Sequence, residues 1–253
     1  MAVKRVPIAV DARVPSGRTN AYVVGGDEAV LVDPADRTAA LDDAVESAGV
    51  RHIAVTHTHV DHVGAVAAYA DALDATVWGR YGREDRFKRA TGVRPDRTVR
   101  EGTTVGPLTV IETPGHASDH VAFATDGEAL VGDVALVEGS VVIGNSGDLR
   151  AYLTTLRRLR QRGFDRLLPG HGPAIDDPAA TLDRLLRHRL DREASVRRAL
   201  ESGAGTVEAV VEAAYEKDVS DVYDLAALTV RAHLRKLAVE GEVCFDGEQV
   251  TRR

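Results

Sequence analysis

The run His57-Thr58-His59-Val60-Asp61-His62 constrains this chain more than any other stretch, because it brings three imidazoles and a carboxylate into six residues. An apolar, β-favouring segment at residues 53–55 precedes it, and an alanine-rich segment at residues 63–73 that predicts a helix follows it. In extended backbone, residues two apart face the same side, so His57 and His59 can turn toward one point. We therefore place the run at a turn between a strand and a helix.

The residue types of this run are those of a metal site. Imidazole nitrogens and carboxylate oxygens suit zinc, and they also suit divalent iron or manganese. The alternative interpretation is that these are ordinary polar loop residues. The single cysteine, Cys244, allows neither an intrachain disulfide nor a cysteine-rich metal site, and we interpret it as a small buried hydrophobe. Any metal must therefore be held by histidines and carboxylates.

Composition narrows the remaining function classes. The 253 residues carry a formal net charge of −7, which does not indicate the basic surface that non-specific nucleic-acid binding needs. No apolar run reaches the length of a membrane span, and the start of the sequence lacks the continuous apolar segment of a secretory signal. We expect a cytoplasmic protein with no membrane partner.

Strand and helix patterns alternate along the chain. Short valine-rich runs separated by glycine-containing turns predict an antiparallel meander at residues 8–14, 21–24 and 29–33. Helices are predicted at 38–48 and 149–162, and further strands at 53–55, 75–78, 109–112, 121–124, 128–131, 141–143 and 166–168. Residues 81–104 are charged and irregular, and we interpret them either as a loop that contacts an anionic substrate or as solvated surface.

Three more polar residues follow predicted strands. His116 lies in Thr113-Pro114-Gly115-His116, Asp133 follows Gly132, and His171 lies in Pro169-Gly170-His171-Gly172. Strand ends are where folds of this type build their sites, so these residues join the histidine run as candidates.

The C-terminal part has the element order of a winged helix-turn-helix. A long helix is predicted at residues 178–202, a helix that Thr206 caps follows, and a helix at about 225–240 precedes a terminal hairpin. Arg231 and Arg235 lie one turn apart and allow a phosphate-contacting face. From Thr206 onward, however, ten acidic residues outnumber six basic ones, so a scaffold that covers the mouth of the site or forms a dimer surface is favoured.

Taken together, these residues resemble the metallo-β-lactamase superfamily, whose members carry the H-x-H-x-D-H run, a later loop histidine, a bridging aspartate and a final histidine in this order. The resemblance implies an α+β fold, a four-layered αβ/βα sandwich at residues 1–180, followed by a long helix and a small winged-helix domain at 181–253. It implies two zinc ions per chain, with iron or manganese left open. By this resemblance, His57, His59 and His116 hold the first metal, Asp61, His62 and His171 hold the second, and Asp133 bridges them. Asp61 would also have the catalytic role of orienting the attacking hydroxide and returning its proton to the leaving group.

Finer features are similar to the LACTB2-like branch, which is related to glyoxalase II. They include Asn20-Ala21-Tyr22-Val23-Val24, Thr113 to His120, Pro169 to Pro173, and His188-Arg189 with Arg192-Glu193. The resemblance implies a hydrolase that acts on an ester-like bond, such as a thioester or lactone, or on the phosphodiester of single-stranded RNA. Its partner would be an anionic small molecule or that RNA, and a homodimer is left open. The alternatives are a mononuclear-iron oxidoreductase like the persulfide dioxygenases, and a non-catalytic nucleic-acid-binding protein.

Overall fold

The computed structural model describes residues 2–253, whose contacts divide into two compact units. The first unit comprises Met1–Thr113, Asp119–Gly139 and Gly163–Pro178, and the second comprises Pro114–Ser118, Ser140–Arg162 and Ala179–Arg253. Each unit has a hydrophobic core of its own. The sequence predicts a domain boundary at residue 180. Because that boundary concerns domains that fold independently, it stays a prediction.

The elements are numbered in chain order. The strands are β1 (Val3–Ala9), β2 (Arg18–Val24), β3 (Val30–Val32), β4 (His52–Ala54), β5 (Thr76–Arg80), β6 (Arg97–Val99), β7 (Thr104–Val105), β8 (Leu108–Glu112), β9 (Val121–Ala124), β10 (Glu128–Gly132), β11 (Arg166–Pro169), β12 (Val243–Phe245) and β13 (Val250–Arg252). The helices are α1 (Ala39–Ala48), α2 (Val60–Val63), α3 (Val66–Ala72), α4 (Glu84–Thr91), α5 (Leu149–Arg162), α6 (Pro178–Glu201), α7 (Val207–Ala214) and α8 (Tyr223–Val239).

The first sheet lies in the first unit and has the strand order β1-β2-β3-β4-β5-β6. Strands β1 to β3 pair antiparallel, which confirms the predicted meander, whereas β3 to β6 pair parallel. Helices connect the parallel strands, as parallel pairing requires. Val32 stands opposite Ala54 in the register, so the residues that follow β3 and β4 leave the sheet side by side.

The second sheet of this unit has the order β11-β10-β9-β8-β7. Its pairs are antiparallel except for β10 and β11, which run parallel with Gly132 opposite Pro169. The residues after these two strands therefore also emerge as neighbours.

Packing of the two sheets creates the first core. Val32 and Trp78 of the first sheet share one apolar cluster with Phe123 of the second, and Trp78 is the only tryptophan of the sequence. A separate cluster covers the other face of the first sheet and includes Leu41 of α1 and Phe87 of α4. The first unit is thus layered helix, sheet, sheet, and the predicted α+β class is confirmed.

Some local predictions differ from the structure, in addition to helix α4, which lies in the segment predicted to be irregular. The first strand runs from Val3 to Ala9 instead of 8–14, and it tolerates Pro7 because an edge strand leaves part of its backbone unpaired. Residues 141–143 form no strand, and their carbonyls accept side-chain hydrogen bonds instead. Cys244 is exposed, because it lies on the face of β12 opposite to that of the buried Val243.

The second unit is mainly helical. The Thr206 side chain accepts a hydrogen bond from the Ala209 amide and caps α7, as predicted. Helix α6 packs with α7, α8 and the β12–β13 hairpin around Val196, Val210 and Leu234. The element order helix, helix, hairpin matches the prediction, while the assignment as a winged helix stays a prediction. No helix within residues 2–253 is both long and apolar enough to span a bilayer.

Candidate metal centre

The predicted histidine run begins three residues after β4 and enters α2. His57 is buried, and its Nε2 atom lies 3.0 Å from Nδ1 of His59, so both imidazoles face one point. His59 is the residue that precedes α2, and its carbonyl accepts a hydrogen bond from the His62 amide. This turn brings Asp61 and His62 back beside the two earlier histidines. The predicted position between strand and helix is therefore confirmed.

Asp33, which follows β3, holds the run in place. Its carboxylate accepts hydrogen bonds from the Thr56 amide at 2.6 Å and the Thr56 hydroxyl at 2.7 Å. It also accepts one from Nδ1 of His62 at 3.0 Å. Because a carboxylate is an acceptor, His62 carries its proton on Nδ1 and presents Nε2 to the site. Sequence analysis did not select Asp33, and its place at the end of a strand was the available signal.

Asp133 and His120 form a second supporting contact. His120 Nε2 accepts a hydrogen bond from the Asp133 amide at 3.1 Å, and its Nδ1 lies 2.8 Å from the Thr113 hydroxyl. The His120 ring also stacks on His57, with 5.0 Å between ring centroids. His120 therefore fixes the backbone that carries Asp133.

His171 is positioned by β2. Its Nδ1 donates to the Arg18 carbonyl at 2.8 Å, which leaves Nε2 facing Asp61 and Asp133. The same turn is held by Asn20, whose amide group donates to the Pro169 and Gly172 carbonyls, each at 2.9 Å. The Tyr22 hydroxyl donates to the Pro169 carbonyl at 2.7 Å. These early-strand residues thus shape the turn that bears His171.

A further buried contact lies behind the run. The Asp119 carboxylate accepts hydrogen bonds from the Thr58 amide and hydroxyl, at 3.1 and 2.5 Å. Nε of Arg86 in α4 donates to the Thr58 hydroxyl at 2.8 Å. Part of the charged segment 81–104 therefore supports the histidine run from a helix.

Four side chains of the first unit converge, and they follow three strand ends. Nε2 of His62 lies 3.6 Å from both the Asp61 and the Asp133 carboxylates. Nε2 of His171 lies 3.4 Å from Asp61 and 3.3 Å from Asp133. Two overlapping sets have ligand atoms within 4.8 Å of one another, namely His57, His62 and Asp133, and Asp61, His62 and His171.

Gly170 leaves room for this convergence. A Cβ atom at this position would stand 2.6 Å from an Asp133 carboxylate oxygen and 2.7 Å from Cε1 of His62. Both distances are too short for any side chain. A side chain at residue 170 would therefore displace Asp133 or His62.

These residues fit a divalent cation. The Nε2 atoms of His62 and His171 are buried, and residues 2–253 offer neither of them a hydrogen-bond partner of normal geometry. A buried polar atom in this condition costs free energy unless a ligand satisfies it. Imidazole and carboxylate together are a common donor set for transition-metal ions.

The electrostatics of the cluster favour positive charge. Burial acts to lower the pKa of His171, but the carboxylates of Asp133 and Asp61, which its Nε2 atom faces at 3.3 and 3.4 Å, outweigh it and raise the pKa to about 10. Burial likewise opposes a raised pKa at His62, where the charges of Asp133 and Asp33 prevail. At Asp61 burial acts to raise the pKa, but the nearby imidazole of His171 and the charge of His62 outweigh it and lower the pKa. A cation would supply the charge for which these carboxylates are arranged.

His116 belongs to the second unit. It is buried, and its Nδ1 atom donates to the Val142 carbonyl at 2.7 Å. Nε2 is therefore the nitrogen with the lone pair. The role of His116 as a metal ligand stays a prediction.

The chain is similar to known proteins over most of its length. The sequence pattern of the metallo-beta-lactamase superfamily matches residues 14–171. The Drosophila melanogaster beta-lactamase-like protein 2 homolog is 31% identical over 248 residues, which cover 89% of this chain and 84% of that protein. The Aspergillus fumigatus atrochrysone carboxyl ACP thioesterase is 27% identical over 253 residues, with 90% of this chain and 78% of that protein covered.

Solved structures show the same fold. A beta-lactamase domain protein from Burkholderia ambifaria matches with a TM-score of 0.81 at 21% identity, covering 99% of this chain and 91% of that one. The family pattern spans more than half of the sequence, and the fly protein is similar along most of its length. This chain therefore belongs to the metallo-beta-lactamase superfamily and is similar to its beta-lactamase-like protein 2 branch.

Proposed function

We propose that the protein is a hydrolase that uses two divalent metal ions, with zinc as the first candidate, to cleave an ester-like or phosphodiester bond. The observation that supports it most is the convergence of the His62 and His171 Nε2 atoms on the carboxylates of Asp61 and Asp133. Each imidazole is oriented through its other nitrogen, as in sites that hold metal firmly.

The ligand assignment follows the order of the superfamily motif. In the proposal, His57, His59 and His116 hold one ion, Asp61, His62 and His171 hold the other, and Asp133 bridges the two. Asp133 suits the bridging position because a carboxylate has two oxygens and can contact two cations.

A pair of divalent ions supplies activation of water near neutral pH and stabilisation of the negative charge that develops on the substrate oxygen. The protein residues supply orientation and proton transfer. The Asp61 side chain is 12% exposed and its pKa is lowered, so it is ionised at neutral pH and reaches the solvent side. Asp61 accepts the proton of the attacking water, whose oxygen bonds to the electrophilic carbon or phosphorus. It then returns that proton to the departing sulfur or oxygen atom.

A thioester or lactone is the first substrate class to test, because one of the relatives is named as an ACP thioesterase. Single-stranded RNA is the second, because its phosphodiester requires the same water activation. In the proposal the partner is an anionic small molecule or single-stranded RNA.

The first test is metal content of the protein purified without added metal. About two zinc ions per chain are expected, because the site has the donors for a dinuclear centre. Asp133→Ala should lose at least one of them. Asp126→Ala, which changes an exposed aspartate in the turn after β9, is the matched control and should keep both.

Different results in these tests would favour one of the alternative functions. One iron per chain without hydrolysis of any substrate would contradict the dinuclear hydrolase and favour the persulfide dioxygenase-like alternative. RNA binding without turnover by metal-loaded protein would favour the non-catalytic alternative. Turnover of thioesters, lactones or single-stranded RNA that Asp133→Ala abolishes would support the proposal and select its substrate class.

A further inference from the structure

The turn that carries His116 is fastened to α5 at three points. The Thr155 hydroxyl donates to the Pro114 carbonyl at 2.8 Å, and the Asp148 amide donates to the Gly115 carbonyl at 2.8 Å. Gly115 has φ 147 and lies so close to Tyr152 that a Cβ atom would stand 2.6 Å from the Tyr152 amide nitrogen. The backbone of this turn is therefore fixed by the helix, whereas the ring of His116 needs a contact of its own.

That contact is the Val142 carbonyl. It accepts a hydrogen bond from Nδ1 of His116 at 2.7 Å. A carbonyl oxygen is only an acceptor, so this bond selects the tautomer with the proton on Nδ1 and directs the Nε2 lone pair along one line. The direction of that lone pair depends on where Val142 lies.

Val142 lies in a segment without regular secondary structure, so strand pairing does not hold it. Arg189 of α6 holds the segment instead, because its guanidinium donates to the carbonyl of Val141, the preceding residue. The guanidinium carbon lies 5.4 Å from the centroid of the Tyr152 ring, the same tyrosine that packs against Gly115. One arginine thus contacts both the segment that orients His116 and the residue that supports its turn.

A buried arginine at this position does not favour the stability of the fold. Arg189 is 2% exposed, and its Nε atom has no hydrogen-bond partner in the part of the chain that the structure describes. A buried guanidinium with an unsatisfied nitrogen destabilises a fold relative to an apolar side chain of similar size. Packing alone therefore does not favour an arginine here, whereas the hydrogen bond to the Val141 carbonyl accounts for a donor at this position.

We propose that Arg189 is a positioning residue for His116, which fixes the Val141–Val142 backbone so that His116 keeps the Nδ1–H tautomer and a fixed Nε2 direction. The part of the inference that concerns metal affinity rests on the proposed function. The part that concerns the tautomer does not.

The first experiment uses the metal-free protein. Imidazole ¹⁵N spectra report which ring nitrogen carries the proton, and the His116 signals are assigned by their absence in His116→Gln. In the wild type we expect a single Nδ1–H tautomer with a slowly exchanging proton. Arg189→Met removes the donor and retains an apolar side chain, so it should give mixed tautomers and fast exchange. Arg189→Lys keeps one donor and should restore part of the effect.

The second experiment measures zinc binding by competition with a chromophoric chelator. Loss of a contact that orients a metal-bound histidine typically weakens binding by about 10- to 100-fold, so Arg189→Met should weaken one of the two sites by that factor and leave the other unchanged. Cobalt substitution gives an independent readout, because the absorption bands of one site should shift while those of the other stay.

The matched control is Arg192→Met, three residues along the same helix. Arg192 also donates to a backbone carbonyl, but to that of Ala214 at 2.5 Å, and it also packs on a tyrosine, but on Tyr215. The Arg192→Met variant should unfold more easily than the wild type. Its His116 tautomer and its zinc affinities should be unchanged.

The outcomes separate the two proposals. A wild-type protein that binds no divalent metal overturns the proposed function, while the tautomer measurement still tests Arg189. Normal zinc binding and an unchanged His116 tautomer in folded Arg189→Met overturn the positioning role alone. An equal effect of Arg192→Met also overturns it, because the effect would then be general destabilisation.

Discussion

Asp33 determines the orientation of His62 although it lies outside the histidine run. It takes a left-handed backbone conformation, with φ 53, which aspartate tolerates better than most residues. We expect Asp33→Ala to weaken metal binding by about 10- to 100-fold, because His62 loses the acceptor that fixes its ring and its tautomer. Titration of the metal-free protein with zinc in a calorimeter measures this.

The control for this change is Asp36→Ala, in the same loop. Asp36 is exposed and accepts a hydrogen bond from the amide of its neighbour Arg37. Its replacement should leave zinc affinity unaltered. Unchanged affinity in Asp33→Ala would mean that Asp33 serves folding and not the site.

Gly170→Ala tests the spacing of the centre without removing any ligand. The added methyl group would meet Asp133 and His62 at 2.6 and 2.7 Å, so one of them must move. We expect metal content below two ions per chain in a protein that still folds, measured by elemental analysis. Gly144→Ala, where a Cβ meets no atom within 4 Å, should retain the wild-type content. A full complement of metal in Gly170→Ala would contradict the assigned geometry.

Sequence alone selected candidates that lie in a dense run or follow a predicted strand, and it missed residues that contact this run through pairing across the fold. The histidine run is recognisable because four candidate ligands lie within six positions. His171 follows a predicted strand in a glycine-rich turn. Asp33 lies 29 residues before His62. Only the parallel pairing of β3 with β4 brings it beside Thr56, and nothing near Asp33 signals that pairing. Arg189 was noted only as part of a motif similar to the LACTB2-like branch, and its contact with Val141, 48 residues away, could not be predicted from the sequence.

At the scale of elements, prediction succeeded where apolar periodicity was strong. Helix α5 was predicted at its observed bounds, since its leucines recur at helical spacing. Helix α4 was missed, because Phe87 and Thr91 are the buried residues in an otherwise charged segment. The 141–143 segment was mistaken for a strand because valine and isoleucine favour strands, whereas its carbonyls bond to side chains.

Helices α6 and α8 are joined by a buried charge cluster. Glu193 accepts a hydrogen bond from Lys236 at 2.9 Å, lies 3.5 Å from Nδ1 of His233, and pairs with Arg197 at 2.8 Å. Burial acts to raise the pKa of Glu193, but His233, Lys236 and Arg197 outweigh it and lower the pKa to about 2. The cluster therefore stabilises the second unit while Glu193 is ionised.

A pH dependence follows. Since the folded-state pKa is depressed, the stability from Glu193 is present above about pH 4.5 and is lost as pH falls toward 2. Urea unfolding between pH 6 and pH 3 should show a free energy of unfolding that falls less steeply in Glu193→Gln than in the wild type. The difference is expected to be on the order of 2 kcal/mol at most. Glu201→Gln, at the exposed end of α6, should keep the wild-type slope.

For the whole molecule, the candidate ligands of the first unit come from strand ends of both sheets. His57 to His62 follow β4 of the first sheet, whereas Asp133 and His171 follow β10 and β11 of the second. An ion held by these residues would link the two sheets at their edges. The metal would then stabilise the first unit in addition to serving catalysis.

Chelation tests this link. A ligand that binds only the folded state stabilises it by about 2.7 kcal/mol at a concentration one hundred times its dissociation constant. We expect removal of metal to lower the Tm of the wild type and to leave the already metal-poor Asp133→Ala nearly unaffected. An equal fall in both proteins would mean that the chelator acts elsewhere.

The lone indole of the sequence offers a practical consequence. Trp78 lies between the sheets of the first unit, and the second unit contains no tryptophan. Intrinsic fluorescence therefore follows one half of the architecture, while far-ultraviolet circular dichroism is dominated by the helices of the other. When the two signals are recorded in the same melt, the protein reports without any attached dye whether its halves lose structure together or in turn.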